Sequence, residues 1–505
     1  MESKPKSQEE YFRTQHLKAN LGGRTVRGGA VTVLTQGLKF VLGIATTVVL
    51  ARLLTPQDYG LIGMVVVVTG FVSMFKDLGL SNATIQRDEI NAEQISTLFW
   101  INVALSIAIM VLTSAISPAV AWFYGDGRLT WITIVYATGF LFGGLTVQHE
   151  ALLRRQMRFT ALAARDMVSL IAGIITALVM GWFGFGYWAL VANQLVTGFT
   201  GAVLVWIFCR WRPGLPVRNS GVRSMLVFGR NMTGFSIVNY FARNLDNMLI
   251  GKFWGSQQLG LYAKAYQLLL LPIDQINSPV AAVAVPALSR LVDQPERYRE
   301  AYLRIIEKVA MLTMPGMALL IATSDWLVLV LLGPQWSDAA RIFTLLGFVG
   351  LVQPICNTTG WLFISQGRTH HMFQWGLLGS SIIIVAIVIG LPWGAVGVAG
   401  SYSAITLFIV TPILFWFVCR EGPVRTIDFY RTMAPAGCAS LCVLVTLLLL
   451  RGWVPQIKPV VGLGVSFVIA VAITVAILAV LPKGRNALLD LKHSLLLLTE
   501  RRKVV

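Results

Sequence analysis

The chain has 505 residues, of which 56% are hydrophobic and only 13% are charged, and its formal net charge is +18. A soluble globular protein carries about 25% charged residues, so this chain lacks the polar side chains that soluble domains of this size need on their surfaces. Its mean hydropathy of +0.70 and its long apolar runs indicate an all-α integral membrane protein. A transmembrane β-barrel is disfavoured because its strands would alternate apolar and polar residues.

The apolar runs predict about 14 transmembrane helices, since one crossing needs about 20 mostly apolar residues. In chain order they cover residues 29–51, 58–76, 95–123, 129–148, 160–182, 185–209, 225–251, 259–286, 309–332, 339–365, 371–391, 394–419, 432–450 and 459–481. The seventh and eighth candidates contain charged residues, and Pro315 and Asp325 interrupt the ninth.

Lys and Arg are divided very unevenly between the two sides of this arrangement. Of the 41 such residues, 32 lie on the side of the N-terminus, 6 lie on the opposite side, and 3 fall inside spans. The positive-inside rule therefore places both chain ends in the cytoplasm, which an even number of spans allows. Anionic lipid headgroups account for the positive charge, so the lipid bilayer is an expected partner and nucleic acid is not.

Two blocks of the sequence recur. At an offset of 200 residues, Gln57, Gly60 and Leu61 match Gln257, Gly260 and Leu261. At an offset of 210, five residues match in order: Gly184 with Gly394, Ala189 with Ala399, Trp206 with Trp416, Cys209 with Cys419, and Arg210 with Arg420. Spans one to six and seven to twelve therefore form two copies of one unit. Six spans per copy make this a parallel repeat, a pattern that places substrate sites between the two halves.

Charged residues inside spans are the candidate functional groups, because a charge at mid-membrane costs about 2.5–3.5 kcal/mol on insertion scales. Lys39 lies near the middle of the first span. A polar stripe occupies one helical face of the seventh span, and charges recur in the eighth. The candidate substrate-binding residues are Gln36, Lys39, Asn239, Arg243, Asp246, Lys264 and Asp274.

Each candidate also has a structural interpretation. Arg243 and Asp246 can form an i,i+3 bridge, and Lys264 lies near a span end, from which a long side chain reaches the interface. Asp274 fits a kinked helix end. Lys39 has no close partner in the sequence and lies too deep to reach the interface easily, which favours a place in a water-filled cavity.

The sequence contains no recognisable pattern for catalysis or for binding a cofactor or metal. There is no G-x-x-x-x-G-K-[ST] phosphate loop, and His149-Glu150 is not followed by the second histidine of a zincin. The five cysteines form neither a disulfide framework nor a zinc pattern. We therefore expect no enzyme activity, no cofactor and no metal site. The sequence does not specify a coupling ion or proton.

Several spaced segments resemble a known family. They are Ala51-Arg-Leu-Leu-Thr-Pro-Gln-Asp-Tyr-Gly60, Arg243-Asn-Leu-Asp-Asn-Met-Leu-Ile-Gly251, Leu259-Gly-Leu-Tyr-Ala-Lys-Ala265 and Pro286-Ala-Leu-Ser-Arg290. These segments are similar to signatures of bacterial polysaccharide flippases in the multidrug/oligosaccharidyl-lipid/polysaccharide exporter superfamily. The resemblance covers spans one to twelve. It implies a two-lobed transporter with a central cavity, in which basic residues meet a diphosphate or acidic sugars. Lys39 and Arg243 are the best-placed candidates for that role.

The resemblance implies that the chain flips an undecaprenyl-diphosphate-linked oligosaccharide from the cytoplasmic to the periplasmic leaflet by alternating access. Such transport serves exopolysaccharide, lipopolysaccharide or capsule synthesis, with a polysaccharide polymerase and export machinery as further partners. Two other functions stay open. A drug or organic-cation antiporter of the same superfamily would favour acidic cavity residues. A membrane-embedded polymerase or lipid-sugar transferase would need a large loop with catalytic residues.

These predictions divide the chain into five parts. A cytoplasmic tail covers residues 1–28, the N-lobe covers 29–215 and the C-lobe covers 216–420. Two extra spans occupy 421–482, and a second cytoplasmic tail covers 483–505. The expected location is the inner membrane of a bacterium.

Overall fold

The computed structural model describes Phe12 and residues 21–74, 81, 84–85, 87, 90–217, 223–453, 458–482, 484–485 and 490. Most of the two predicted tails therefore lies outside the described residues. Within this part of the chain the regular structure is helical and contains no strand. The all-α class predicted from the sequence is confirmed. The chain divides into two compact units, Met1–Gly260 and Leu261–Val505.

The first unit is built mainly from long apolar helices. Two of its helices begin with a capping box, in which Thr55 pairs with Asp58 and Asn91 with Gln94. These boxes satisfy backbone N–H groups that a helix start leaves without partners. The helices are α1 (Leu21–Leu53), α2 (Pro56–Ser73), α3 (Ala92–Tyr124), α4 (Arg128–Ala137), α5 (Gly139–Arg155), α6 (Phe159–Trp182), α7 (Tyr187–Phe208) and the first part of α8 (Arg223–Ser289).

The second unit continues from α8 in the same manner. A π-helical segment, Thr406–Val410, joins two of its helices into one rod. The helices are α9 (Pro295–Ala322), α10 (Ser324–Leu331), α11 (Ser337–Gly350), α12 (Gln353–Ser365), α13 (Thr369–Gly390), α14 (Gly394–Ile405), α15 (Thr411–Cys419), α16 (Thr426–Trp453) and α17 (Pro459–Val480).

The described helices are compatible with the fourteen predicted crossings. Ten segments are long and apolar enough to cross a membrane, and a pair bent by 42°, Pro334–Gly350 with Gln353–Ser365, makes an eleventh. Two of the ten, Arg243–Ser289 and Thr369–Cys419, have 47 and 51 residues. At 1.5 Å per residue each is about 70 Å long, enough for two crossings of a core about 30 Å thick. If each of these two long segments counts as two crossings, the ten segments give twelve crossings. The bent pair and α2 add one each, which gives the predicted fourteen.

Individual boundaries differ from the sequence prediction, most of all at the ninth span. The predicted span was 309–332, whereas α9 runs from Pro295 to Ala322 and a separate short helix, α10, follows. The first turns of α9 are polar, so an apolar window does not detect them. Pro295 occupies the first turn of α9, where its missing N–H costs nothing.

The chain leaves helical geometry inside α8 at Gly255, which has φ 77° and ψ −177°. After this break, Gly260 packs against the start of α2. A Cβ on Gly60 would lie 1.6 Å from the carbonyl oxygen of Ser256, and a Cβ on Gly260 would lie 1.8 Å from that of Pro56. The contact is reciprocal at an offset of 200 residues, because Pro56 corresponds to Ser256 and Gly60 to Gly260. The two glycines therefore occupy equivalent positions, as the sequence repeat predicts.

Two arginine–aspartate contacts connect α16 with the helices that precede it in the second unit. The Arg299 guanidinium donates to both carboxylate oxygens of Asp428, at 2.7 and 2.5 Å. Asp428 is buried and also accepts the backbone N–H of Arg425 at 2.9 Å. Towards the other end of α16, Arg451 donates to Asp325 and to the Ala322 carbonyl.

Between these contacts lies an aromatic core. Phe415 stacks on Phe429 with ring centroids 4.3 Å apart. Tyr302 packs edge-on against Phe429, and its hydroxyl lies 2.9 Å from the Thr358 hydroxyl. Helix α16, which the sequence assigns to the extra spans, is thus an integral part of the second unit.

Candidate functional site

Lys39 lies deep within a membrane-spanning helix. It stands 14 residues before the end of α1 at Leu53, which corresponds to about 21 Å along the helix. Its Nζ lies 2.5 Å from Oδ2 of Asp166 on α6, 127 residues away in sequence. The structure therefore supplies a partner that the sequence does not reveal.

Asp166 belongs to a chain of four alternating charges. Its other carboxylate oxygen, Oδ1, accepts a hydrogen bond from Arg165 at 2.9 Å. A second nitrogen of Arg165 lies 2.8 Å from Oε1 of Glu150 on α5. We call Lys39, Asp166, Arg165 and Glu150 the charge quartet; its formal charges sum to zero.

The side chain of Arg165 is held from a further direction. Its Nε donates to the Gly201 carbonyl of α7 at 3.4 Å. A Cβ on Gly201 would lie 3.0–3.2 Å from the guanidinium, so the absence of a side chain there makes room for the arginine. Helices α5, α6 and α7 thus fix Arg165, while Lys39 reaches the quartet from α1.

All four members of the charge quartet are partly exposed. The exposed fractions are 29% for Lys39, 30% for Asp166, 21% for Arg165 and 24% for Glu150. Exposed charges within a spanning segment are costly against lipid and are tolerated where they face water. The water-filled cavity expected for Lys39 from its sequence position stays a prediction.

The other candidates of the first unit lie on α1 and α8. Gln36 is exposed one turn before Lys39 on α1, and Arg243 is exposed on α8. Asp246 is half-buried, and its carboxylate accepts the backbone N–H of Asn247 at 2.7 Å. The side chain of Asn239 lies outside the described residues. The substrate roles of these residues stay predictions.

Lys264 and Asp274 belong to the second unit. Lys264 is buried and donates to the side-chain oxygen of Gln267 at 2.9 Å. Asp274 is exposed. The side chain of Lys264 is only 7% exposed, which disfavours the interpretation that it reaches the interface. Its role in binding substrate is still a prediction.

An apolar groove of about 720 Å³ runs through the second unit between α8, α9 and α17. Its lining on α9 extends from Ile305 to Leu319, a distance of about 21 Å. Lys308 lines it near the Ile305 end, and Val471 and Val475 contribute from α17. The groove has the length and lining to hold a hydrocarbon chain.

The described residues contain no group of three or more His, Cys, Asp or Glu placed to hold a metal ion. The charge quartet contains two cations and two carboxylates, each cation already paired within the quartet. Its chemistry is that of exchangeable ion pairs. An anionic ligand can replace a carboxylate on a cation without forming or breaking a covalent bond.

The sequence predicts one member of the quartet, Lys39. The predicted topology places Arg165 among the basic residues of a cytoplasmic loop, whereas α6 begins at Phe159 and contains Arg165 and Asp166. Glu150 was noted only as part of an incomplete zincin motif. A usable signal was present, because Asp166 is the only acidic residue in the predicted span 160–182.

Comparisons with known proteins identify the family of the chain and support its fold. Residues 49–341, more than half of the chain, match a family described as polysaccharide biosynthesis protein. This match confirms the resemblance found in the sequence segments.

Two relatives and one solved structure show the extent of the likeness. The teichuronic acid biosynthesis protein TuaB of Bacillus subtilis is 28% identical over 309 residues, covering 61% of this chain and 64% of that protein, which is less than two thirds of its length. The lipopolysaccharide biosynthesis protein WzxC of Escherichia coli is 26% identical over 402 residues, covering 79% and 81%. The lipid II flippase MurJ in an inward closed conformation has a TM-score of 0.71 at 12% identity, over 90% of this chain and 98% of that one. The MurJ likeness shows the fold alone.

Proposed function

This chain belongs to the polysaccharide biosynthesis protein family, and from that premise we propose that it flips an undecaprenyl-diphosphate-linked oligosaccharide between membrane leaflets. The direction is from the cytoplasmic to the periplasmic leaflet, by alternating access. The chain acts as a transporter and not as an enzyme, and it supplies repeat units for exopolysaccharide, lipopolysaccharide or capsule.

The observation that carries this proposal is the Lys39–Asp166 pair inside the membrane-spanning part of the first unit. A diphosphate brings negative charge into a region where an unpaired charge is prohibitively costly. Lys39 supplies a compact, mobile cation on a flexible stem. Because its partner is a carboxylate, a phosphate oxygen can take the same place with similar geometry.

The apolar groove of the second unit supports the proposal that the substrate carries a lipid chain. Its surface is formed mainly by aliphatic side chains of α8, α9 and α17 with one aromatic ring, Phe467, and with Lys308 near one end. A polyprenyl chain has matching chemistry, as does any other lipid hydrocarbon. The groove therefore supports a lipid substrate without identifying the glycan.

The location and organisation of the protein form part of the same proposal. We place it in the bacterial inner membrane with both termini in the cytoplasm, from the distribution of Lys and Arg. The proposal also includes two lobes, residues 29–215 and 216–420, followed by the additional pair of spans in 421–482. It further includes partnership with a polysaccharide polymerase and export machinery.

Lys39→Ala tests the proposal. One charge-assisted hydrogen bond is worth about 1.5–3 kcal/mol, so export should fall about tenfold or more. Lys39→Arg, which keeps the charge, should be partly active. The measurement is surface polysaccharide in a flippase-deficient strain, together with the amount of protein in the membrane.

Lys458→Ala is the matched control, because Lys458 is an exposed lysine at the start of α17. It should export normally. Normal export by Lys39→Ala would contradict the proposed site. Loss of Lys39→Ala protein from the membrane would instead identify the pair as a structural bridge between α1 and α6.

A further inference from the structure

We propose that Asp166 is an internal competitor of the substrate's diphosphate, and that it restricts the site to lipid diphosphates while allowing them to leave again. This inference rests on the proposed function, because it assigns a specificity role at the site where Lys39 meets the anion. Asp166 is a positioning residue that acts through Lys39.

The contacts of the charge quartet make Lys39 its replaceable member. Lys39 contacts one oxygen of Asp166 at 2.5 Å, at the end of the quartet. Arg165 contacts the other oxygen of Asp166, Glu150 and the Gly201 carbonyl. When Lys39 turns to another anion, Asp166 therefore keeps a charged partner. The exchange avoids the large cost of leaving a carboxylate unpaired in the membrane.

Asp166 also sets the strength of anion binding. With Asp166 ionised, the quartet is formally neutral, and an incoming anion has to replace a carboxylate that Lys39 already holds. Without that carboxylate, the remaining three groups would carry a charge of +1 and would hold an anion more tightly. A transported species must bind strongly enough to enter and weakly enough to leave. Asp166 weakens the binding of the anion and so allows it to leave.

The same exchange distinguishes between anionic lipids. A headgroup with a single negative charge replaces Asp166 one for one and gains little. A diphosphate brings a second charged group, which gives it an advantage over Asp166 that a monoanion lacks. Phosphatidylglycerol is a monoanion and is a reasonable competitor in a bacterial membrane. Asp166 therefore keeps bulk lipid from occupying Lys39.

The position of the quartet distinguishes this role from simple reinforcement of helix packing. Lys39 and Asp166 are each about 30% exposed although they lie within a spanning segment. Arg299–Asp428 in the second unit, by comparison, has a buried carboxylate that uses both oxygens on one guanidinium. A partly exposed pair with one contact suits exchange better than reinforcement.

The test measures binding of farnesyl diphosphate to the full-length protein in phosphatidylcholine nanodiscs. Asp166→Asn should bind this probe about tenfold more tightly, since the site gains one net positive charge. Adding phosphatidylglycerol should displace the probe from Asp166→Asn but not from the wild type. Asp166→Glu, which keeps the carboxylate, should behave like the wild type. In cells, Asp166→Asn should lower polysaccharide export because release slows.

Asp126→Asn is the matched control, because Asp126 pairs with Arg128 in the turn before α4, outside the charge quartet. It should leave the affinity unchanged. Unchanged or weaker binding by Asp166→Asn would overturn the inference, as would failure of this near-isosteric variant to fold. Lys39→Ala separates the two proposals. If Lys39→Ala binds the probe as the wild type does, the proposed site is wrong. If it loses the probe while Asp166→Asn shows no gain, only the competitor role is wrong.

Discussion

The two units both contain arginine–aspartate contacts, but they use them differently. In the first unit, Asp166 divides its two oxygens between Lys39 and Arg165, from α1 and α6. In the second unit, Asp428 gives both oxygens to one partner, Arg299. In the first arrangement Lys39 makes one contact with Asp166, and this is the contact that the proposed exchange replaces. The second fixes α9 to α16.

The amount of burial follows the same division. Asp428 is 5% exposed and Asp166 is 30% exposed. A buried carboxylate that loses its partner is strongly destabilised, whereas Asp166 is partly exposed and keeps its contact with Arg165 when Lys39 leaves. The comparison therefore distinguishes the two pairs by the number of contacts and by the burial of the carboxylate, and the proposed exchange requires the less buried pair with one contact.

The largest effect on stability should come from Asp428→Ala. This change removes a two-point ion pair and the acceptor of the Arg425 backbone N–H, at a cost of about 2–4 kcal/mol. We expect a lower thermal unfolding midpoint in detergent and less protein in the membrane. Arg304→Ala is the control, because its pair with Asp490 is exposed and 3.8 Å long, and it should change stability little. Equal effects of the two variants would break the comparison.

Arg451→Lys should have an intermediate effect. Arg451 donates to Asp325 and to the Ala322 carbonyl, and its guanidinium lies 4.2 Å from the ring centroid of Trp326. Lysine keeps the charge but loses the planar fork and its stacking, which should cost about 1 kcal/mol. The unfolding midpoint of the purified protein measures this loss. A midpoint equal to that of the wild type would show that charge alone fixes α16 at this end.

Glu150→Gln should have the smallest effect on stability. When Glu150 becomes neutral, Arg165 keeps its hydrogen bonds to Asp166 and to the Gly201 carbonyl. Glu150 is also partly exposed. The expected loss is about 0.5 kcal/mol or less. Unfolding midpoints of the wild type and Glu150→Gln, recorded side by side, check this. A loss as large as that of Asp428→Ala would show that the quartet is structural.

Most of the fold could be predicted from the sequence, because crossing a membrane imposes a length and an apolar composition on each helix. The number of crossings and the turn near Gly255 follow from this requirement. The start of α9 at Pro295 does not, because its first turns are polar. The average hydropathy of a segment indicates where a helix is apolar, but it does not indicate the residue at which the helical hydrogen bonds begin.

The candidate site was only partly predictable. Lys39 stands alone in an apolar run, so its burial cost is visible in the sequence. Asp166 follows Arg165 near the start of α6 and resembles the charged residues of a loop. Its pairing with Lys39 spans 127 residues and depends on how α1 packs against α6. No local pattern in a single sequence encodes such a contact.

The reciprocal contact between Gly60 and Gly260 has an evolutionary consequence. Contacts that are equal in both directions are what two identical subunits form around a two-fold axis. In a dimer of two identical six-helix chains, a single glycine codon would encode the glycine on both sides of this contact. Fusion into one gene leaves two codons that can mutate separately. Because each glycine lies against a backbone carbonyl of the other segment, neither codon can drift to a larger residue, even though the sequences around them have diverged.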